Sequence, residues 1–493
     1  MSFKPSPQQS AIFSWIESQN GNAFVQAVAG AGKTTTLIEG AKRATGTIAF
    51  LAFNKKIVDE IGAKLVNIGS DAKAGTFHSF GFQAWRTGNK YVKVSKGLEK
   101  NWKIYETLKI PEGYQSFVGK AISFAKQRGV GVGGRIDVRR EWNYIVERFD
   151  LNEELDDDHT LDQAIDFSIA ALKESNGLCR TIIDFDDMIY APIFFGTKLY
   201  QYDWVFVDEA QDTNPARRQL ASWLLKPGGR IIFVGDRAQA IYGFTGADSD
   251  AVDQIIKEFS CKELPLTVTY RCPKAIVKEA QAYVSHIQAH ESAPEGEVIR
   301  LDKRENLDCT TLEQSDAILC RKTAPLVELA FRLIRKGIAC HVEGRDIGAG
   351  LAKLLTKWKK VKSVDKYLEK LEDWYTKQLE LLKAKGKEYQ AEGLTDRVDT
   401  IKALCEGCET VADVQAKIAG MFADSDDEGK RNNNLTLSTV HKAKGREWNT
   451  VYVYGFNKWM PSKMAKQDWQ LEQERNLIYV AMTRAKKKLI LVE

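Results

Sequence analysis

The 493-residue chain is 44% hydrophobic and 28% charged, ordinary values for a protein with sizeable buried cores and length for about three domains. Its 71 basic and 66 acidic residues leave a formal net charge of +5, which neither requires nor excludes a nucleic-acid partner, because a binding groove needs local positive charge. No apolar run reaches the roughly 20 residues that span a bilayer, and MSFKPSPQQSAIF lacks the pattern of a secretory leader. An intracellular protein with no membrane partner is expected, cytoplasmic or nucleoid-associated, or nuclear in a eukaryote. The eight cysteines are scattered, and Cys405 and Cys408 form a CxxC pair with no second pair at zinc-ligand spacing, so reduced structural thiols are expected.

In chain order, Asn22 to Val28 is an apolar strand candidate that enters the glycine-rich AVAGAGKTTT, Ala27 to Thr36. A strand, such a turn and then a helix-forming TTLIEGAKR is the context of a phosphate loop. Backbone N–H groups from Ala29 to Thr35 can face an anion because Gly30 and Gly32 permit the turn. Lys33 supplies a point charge to outer phosphates, and the Thr34 hydroxyl suits magnesium. Ala27 stands where the usual pattern has its first glycine.

Thr47 to Phe53 is a second strand candidate. Residues 86–180 read as a helical interruption, with Trp102, Tyr105, Trp142 and Tyr144 as core anchors. The glycine-rich basic run Arg128 to Arg135 follows no strand, so a flexible linker is the favoured reading over a phosphate-binding one. Trp204 to Val207 then delivers Asp208 and Glu209, a carboxylate to hold a metal and one to orient or deprotonate a water. Four apolar residues leading straight into this acidic pair argue against a merely solvated turn. Ile231 to Val234 is followed by Gln239, which can reach a γ-phosphate or the water, and by Tyr242 and Phe244, which can stack on bases.

A second α/β series begins near Leu264, with strand candidates at Ala317–Leu319, Ala339–Val342, Leu435–Ser438, Val451–Tyr454 and Leu489–Val492. Residues 346–430 interrupt it with helical stripes, Leu351, Leu354, Leu355, Trp358 and Val361, then Leu368, Leu371, Trp374, Tyr375 and Leu379. Ala423 to Asn434 reads as a polar loop.

Taken together and in order, these motifs resemble those of the UvrD/Rep-like branch of the superfamily 1 DNA helicases over almost the whole chain. PQQSAI resembles the family's glutamine motif, LAFNKKI and GTFHSFG the next two, TYRCPKAIV the YRS motif, and STVHKAKGREW and VAMTRAKK the late motifs. The wording is nearest to the F-box helicase sub-branch, without an F-box. The resemblance implies an α/β fold of two RecA-like parallel-sheet lobes, each with a mainly helical insertion: 1–85 with 181–264 (lobe 1A), 86–180 (1B), 265–345 with 431–493 (2A) and a reduced 346–430 (2B).

The resemblance also implies roles. Gln8 reads adenine and Tyr270 stacks on it; Arg271 and Arg484 meet the transferring phosphoryl group; Gly445 and Glu447 approach the nucleotide. Phe53, Asn54, Lys55, Thr76, Phe77, His78, Tyr242, Phe244, Thr439 and His441 line a single-strand track. Lys33, Asp208, Glu209, Gln239, Arg271 and Arg484 are the expected catalytic set, with Thr34 and Asp208 on the metal. The cofactors implied are ATP and Mg2+; the partners are single-stranded DNA and single/double-strand junctions, bound by a monomer. The implied activity is ATP-dependent 3′-to-5′ unwinding driven by closure of two lobes on the nucleotide. A translocase that strips proteins or remodels recombination intermediates carries the same motor residues. An ATPase-dead binding protein is disfavoured because all the catalytic residues are present. Thr35, Phe244, Thr245 and Trp448 depart from residues common in relatives.

Overall fold

The computed structural model describes residues 3–493 except 19, 54, 156–157, 243–249, 305–306, 337, 339, 344, 359–360, 385–387 and 422–434. Asn54, Phe244, Thr245 and the whole loop read at Ala423 to Asn434 therefore lie outside the description, as does Ala339. The chain forms two compact units: Met1–Ala27 with Gly32–Leu266, and Val28–Ala31 with Thr267–Glu493.

The first unit is built on short runs of apolar and β-branched residues. Its strands are β1 (Ala23–Ala27), β2 (Ile48–Ala52), β3 (Lys73–Thr76), a small ribbon of β4 (Lys93–Val94) and β5 (Ile182–Ile183), then β6 (Tyr202–Val207), β7 (Leu225–Gly235) and β8 (Lys262–Leu266). Six form one parallel sheet in the order β3-β2-β6-β7-β1-β8. Every residue of β2 is buried, as in sheets covered on both faces. Parallel strands bring their C-terminal ends to one edge, so the segments after β1, β6 and β7 emerge side by side.

Between β4 and β5 lie the helices Glu99–Thr107, Glu112–Arg128, Arg139–Arg148 and Leu161–Leu178, with a separate apolar core around Trp142, Phe117 and Ile145. Two of the four expected aromatic anchors fill it: Trp142 is fully buried and Tyr105 nearly so. Trp102 and Tyr144 are instead 58% and 41% exposed. Helical geometry explains the division. Trp142, Ile145 and Val146 share one face at i, i+3 and i+4, whereas Tyr144 is two residues from Trp142 and projects the other way, under Arg128 at 4.1 Å. Trp102 stands in the same relation to buried Ile104.

The run Arg128–Arg135 is not a plain linker. Gly129 ends the preceding helix in the left-handed region (φ 73), Val130 is buried, and its carbonyl accepts from Tyr190 Oη at 2.7 Å.

The second unit carries a short pair, β9 (Val268–Thr269) with β10 (Gln288–Ala289). Its main parallel sheet contains β11 (Glu297–Leu301), β12 (Ala317–Cys320), β13 (Cys340–Val342), β14 (Leu435–Thr439), β15 (Trp448–Tyr454) and β16 (Ala485–Val492), in the order β11-β16-β15-β12-β14-β13. The helices Arg345–Leu355, Val364–Ala384, Glu388–Cys405 and Val411–Met421 share one core with it, in which Leu351, Tyr367, Leu371 and Ile401 are buried with Ile318 and Leu437. The two sheets are RecA-like α/β lobes. Among the described residues no helix is long and apolar enough to cross a membrane.

Trp142 tests the inner face of the first helical block. Trp142→Ala removes a fully buried ring whose Nε1–H donates to the Ile136 carbonyl at 2.7 Å and is expected to cost about 3–5 kcal/mol in chemical denaturation. Trp102→Ala, on the outer face, is expected to change stability by no more than about 0.5 kcal/mol.

Candidate functional site

The phosphate loop leaves β1 and turns through Gly30 (φ 73) and Gly32 (φ 79) into the helix Lys33–Ala41. No side chain caps that helix, so its first-turn N–H groups are not engaged by a capping oxygen. Lys33 Nζ lies 2.9 Å from Glu209 Oε2, and the Thr34 hydroxyl donates to Asp208 Oδ2 at 3.0 Å. Asp208 and Glu209 follow β6 directly. Glu209 takes the left-handed conformation (φ 50), rare outside glycine, and its N–H donates to Asp208 Oδ1 at 2.9 Å.

The end of β7 joins this cluster through Gln211, a residue sequence reasoning passed over. Its amide donates to Glu209 Oε2 at 2.6 Å and accepts from the Asp236 N–H at 3.0 Å. Gln239, nearly buried, donates to Asp236 Oδ2 at 2.7 Å. Thus Lys33, Thr34, Asp208 and Glu209 come together, and Gln239 reaches them through Asp236 and Gln211.

Burial sets the electrostatics. Burial pushes the Asp208 carboxyl up to about 6, with the Glu209 charge adding to it and Lys33 opposing. Burial likewise raises Asp236. Burial works against the Lys33 charge, but Glu209, Asp208 and Asp236 outweigh it and hold the ammonium above its ordinary range.

Gln8 is half-buried on the helix Pro7–Ser18, and Thr35 is exposed. Its neighbour Gln9 does structural work that the motif did not reveal: nearly buried, it donates to Thr36 Oγ1 at 3.0 Å and ties that helix to the phosphate-loop helix.

The second unit includes Val28–Ala31. There the Ala29 N–H donates to Tyr479 Oη at 2.9 Å, and the Gly30 carbonyl accepts from the Tyr270 N–H at 2.9 Å. A Cβ on Gly30 would lie 2.5 Å from Arg271 Cβ and 2.7 Å from Thr269 Oγ1, so glycine is demanded by space as well as by φ. Arg271 Nε lies 2.6 Å from Glu447 Oε2, and Gly445 is exposed two residues before. Tyr270 is 47% exposed, its ring 4.8 Å from His290. Arg484 is 1% exposed and its guanidinium bonds backbone carbonyls of Val480 (2.9 Å) and Arg446 (3.2 Å) and the Thr483 hydroxyl (3.1 Å).

The aromatic candidates of the first unit meet at a cleft of ≈ 400 Å³. Phe53 and Tyr242 are parallel (4° between planes, centroids 6.4 Å apart), and Arg217 sits over Phe53 at 4.8 Å. In the same lining, His78 stacks on Phe185 at 3.7 Å. Phe185 is 62% exposed and was not singled out from the sequence; the signal was present in an apolar strand followed by a ring between acids, IIDFDD. Lys55 is exposed at the start of its helix.

Two expected track residues point elsewhere. The Phe77 ring is buried in the lobe core with Phe80 and Val207, because the helix turns that side to the sheet while His78 looks outward. Thr76 caps the same helix by accepting from the Ser79 N–H at 3.1 Å. In the second unit Thr439 is nearly buried, its hydroxyl accepting from the Lys442 N–H at 3.4 Å. Both histidines are neutral at physiological pH. Burial, with Arg217 beside His78 and with Arg321 and Lys444 near His441, pushes each down to about 3. They offer rings and hydrogen bonds rather than positive charge.

Residues 7–260 match the UvrD/REP helicase N-terminal domain, and residues 349–493 match the UvrD-like helicase C-terminal domain. The chain belongs to the UvrD/REP helicase family. It is 24% identical to the F-box DNA helicase protein 1 of Schizosaccharomyces pombe over 535 aligned residues, covering 95% of this chain and 55% of that protein. It is 26% identical to the probable DNA helicase II homolog of Mycoplasma pneumoniae, over 60% of this chain and 54% of that one. Against the ATP-dependent DNA helicase PcrA of Leuconostoc citreum it is 22% identical over 55% of this chain and 38% of that one. The chain spans about half the length, or less, of these relatives.

Asp208 has a testable linkage. Its folded-state value of about 6 exceeds the ordinary 3.8, so the folded protein holds this proton more tightly than the unfolded chain does. The stabilisation by that proton is complete below the unfolded value and is lost as pH rises through about 6. Asp208→Asn is therefore expected to match the parent in melting temperature near pH 4 and to exceed it increasingly up to about pH 7, with a flat difference beyond, in nucleotide- and metal-free thermal scans.

Proposed function

We propose that this chain is an ATP-dependent motor of DNA that unwinds duplexes while travelling 3′ to 5′ along one strand. The observation that carries the reading is the cluster of Lys33, Thr34, Asp208 and Glu209 beyond the ends of β1 and β6 at one edge of the sheet, in the same lobe as an aromatic cleft. Membership of the UvrD/REP helicase family and the names of the relatives support the substrate class.

The reaction is hydrolysis of the terminal phosphoanhydride. Water attacks the γ-phosphorus, the bond to the β-phosphate oxygen breaks, ADP departs, and the water's proton passes to a base. Glu209 is paired with Lys33. An incoming phosphate competes for the lysine, and the released Glu209 carboxylate can hold the attacking water. Arg271 and Arg484 are proposed to supply the cationic charge for the transition state, a contribution on the order of 10³–10⁵ in comparable enzymes. For Arg484 this requires its guanidinium to exchange backbone carbonyls for phosphate oxygens. Gln8 and Tyr270 are proposed to hold adenine.

The donor set of Thr34 hydroxyl and Asp208 carboxylate is hard oxygen, which fits Mg2+. When bound, the ion neutralises phosphate charge; Thr34 and Asp208 would hold it. On the DNA side, Phe53, Tyr242, His78 and Phe185 present rings for base stacking, worth roughly 1–3 kcal/mol per base. Lys55, Thr439 and His441 are proposed to face the strand's backbone.

Lys33→Ala, Arg271→Ala and Arg484→Ala are each expected to lower DNA-stimulated ATP turnover by at least about 10³-fold, with single-strand affinity changed by less than about threefold. Undiminished turnover in Lys33→Ala would remove the site assignment. Duplexes bearing only a 3′ or only a 5′ tail test direction: strand release from the 3′-tailed substrate alone is expected. Turnover without release from either would instead mark a translocase.

A further inference from the structure

The ring most exposed to the cleft is presented by an unusually charged support. The tetrapeptide Asp184-Phe185-Asp186-Asp187 joins β5 to the helix Asp187–Phe194. The Asp184 N–H donates to Asp187 Oδ2 and the Asp187 N–H to Asp184 Oδ1, both at 2.9 Å, so two carboxylates clasp the turn on either side of Phe185. Lys126, on the helix Glu112–Arg128, places Nζ 2.5 Å from Asp184 Oδ2 and 2.8 Å from Asp187 Oδ1. The contact to Oδ1 is an ion pair without hydrogen-bond alignment. Lys100, on the helix Glu99–Thr107, places Nζ 2.5 Å from Asp187 Oδ2. The remaining acid, Asp186, accepts from Ser123 Oγ at 2.5 Å and from Gln127 Nε2 at 3.4 Å.

Both lysines are 1% exposed and Asp187 is fully buried. Burying such charges seldom stabilises a fold more than apolar side chains of similar volume would. What an ion network adds over apolar packing is direction, because each bond restricts an angle as well as a distance. Apart from a bond from Lys100 Nζ to Cys179 Sγ at 3.4 Å, these bonds converge on the four residues that carry Phe185. Asp187 is used nowhere in the ATP cluster, and both lysine side chains are all but buried.

We infer that Lys100, Lys126 and Asp187 are positioning residues for base stacking: two helices of the first insertion hold Phe185 against His78 at the cleft. The inference rests on the reading of that cleft as a single-strand track and gives the insertion a role in it. Lys126 also lines the cleft, but with its side chain 1% exposed the network acts through the Phe185 ring.

ATPase titration with single-stranded oligothymidylate separates the possibilities. Phe185→Ala is expected to raise the DNA concentration for half-maximal stimulation about tenfold. The apolar replacement Lys100→Met with Lys126→Met and Asp187→Leu is expected to fold and to raise the same constant by a similar factor, with turnover at saturating DNA within about twofold of the parent. Adding Phe185→Ala to that triple variant should produce no further loss, since both changes remove the same contact. The more conservative Asp184→Asn, at a partly exposed site, should weaken DNA about threefold and lose that effect in a Phe185→Ala background; it serves if the triple variant does not fold. An unchanged half-saturation constant in the folded network variants, or losses that multiply with Phe185→Ala, would overturn the inference. If Phe185→Ala alone has no effect, the track reading itself fails; if Phe185→Ala weakens binding and the network variants do not, the track stands and only the network's role is lost.

Discussion

The arrangement depends on one constraint: parallel strands covered on both faces can carry charge only at their ends. In β1, β6 and β7 the buried runs stop at one edge of the sheet, and within a few residues of each stop comes a polar group with a chemical task, Lys33, Asp208 with Glu209, and Asp236. Carboxylates so placed are poorly solvated, which is why Asp208 holds its proton up to about 6. They find partners in one another's neighbours. The Lys33–Glu209 pair and the Thr34–Asp208 hydrogen bond satisfy these groups within the cluster. The same scarcity of water makes it receptive to an anion with its counter-ion.

Much of this was legible in the chain because the signals are local. A buried parallel strand is a compact run of apolar residues, and a phosphate loop needs glycine where φ is positive, so the central strands and Gly30, Gly32 and Lys33 could be read directly. Two strands absent from the sequence reading, β3 and β8, lack that signature. β3 is KAGT, β8 is KELPL with Pro265 inside it, and both lie at sheet edges, where one side needs no hydrogen-bonding partner and the composition is free to drift. Trp102 and Tyr144 are exposed although large and aromatic, because position on the helix decides burial.

Residues whose importance lies in a distant neighbour were the least visible. Gln9 matters because Thr36 faces it, Gln211 because Glu209 and Asp236 flank it, and Phe185 because His78 lies beneath it. Apart from Glu209, two residues before Gln211, none of these partners is close in sequence. Within GTFHSF the motif pointed to the right turn of helix but not to which ring faces out: Phe77 enters the core and His78 meets the cleft. A linear motif names a neighbourhood, and helical phase assigns the inward and outward members.

The crossing of the helices Phe77–Gly88 and Asp187–Phe194 carries a mechanical meaning. At Gly81 the two backbones come so near that a methyl group would strike the Met188 carbonyl. With no side chain interposed there is no soft layer to yield, so the two helices behave as a single strut. His78 is mounted near one end of the first, and Phe185 just ahead of the second. A load applied at those two rings is thereby delivered into the sheet as stress on rigid backbone, rather than being dissipated in rotamer changes along the way.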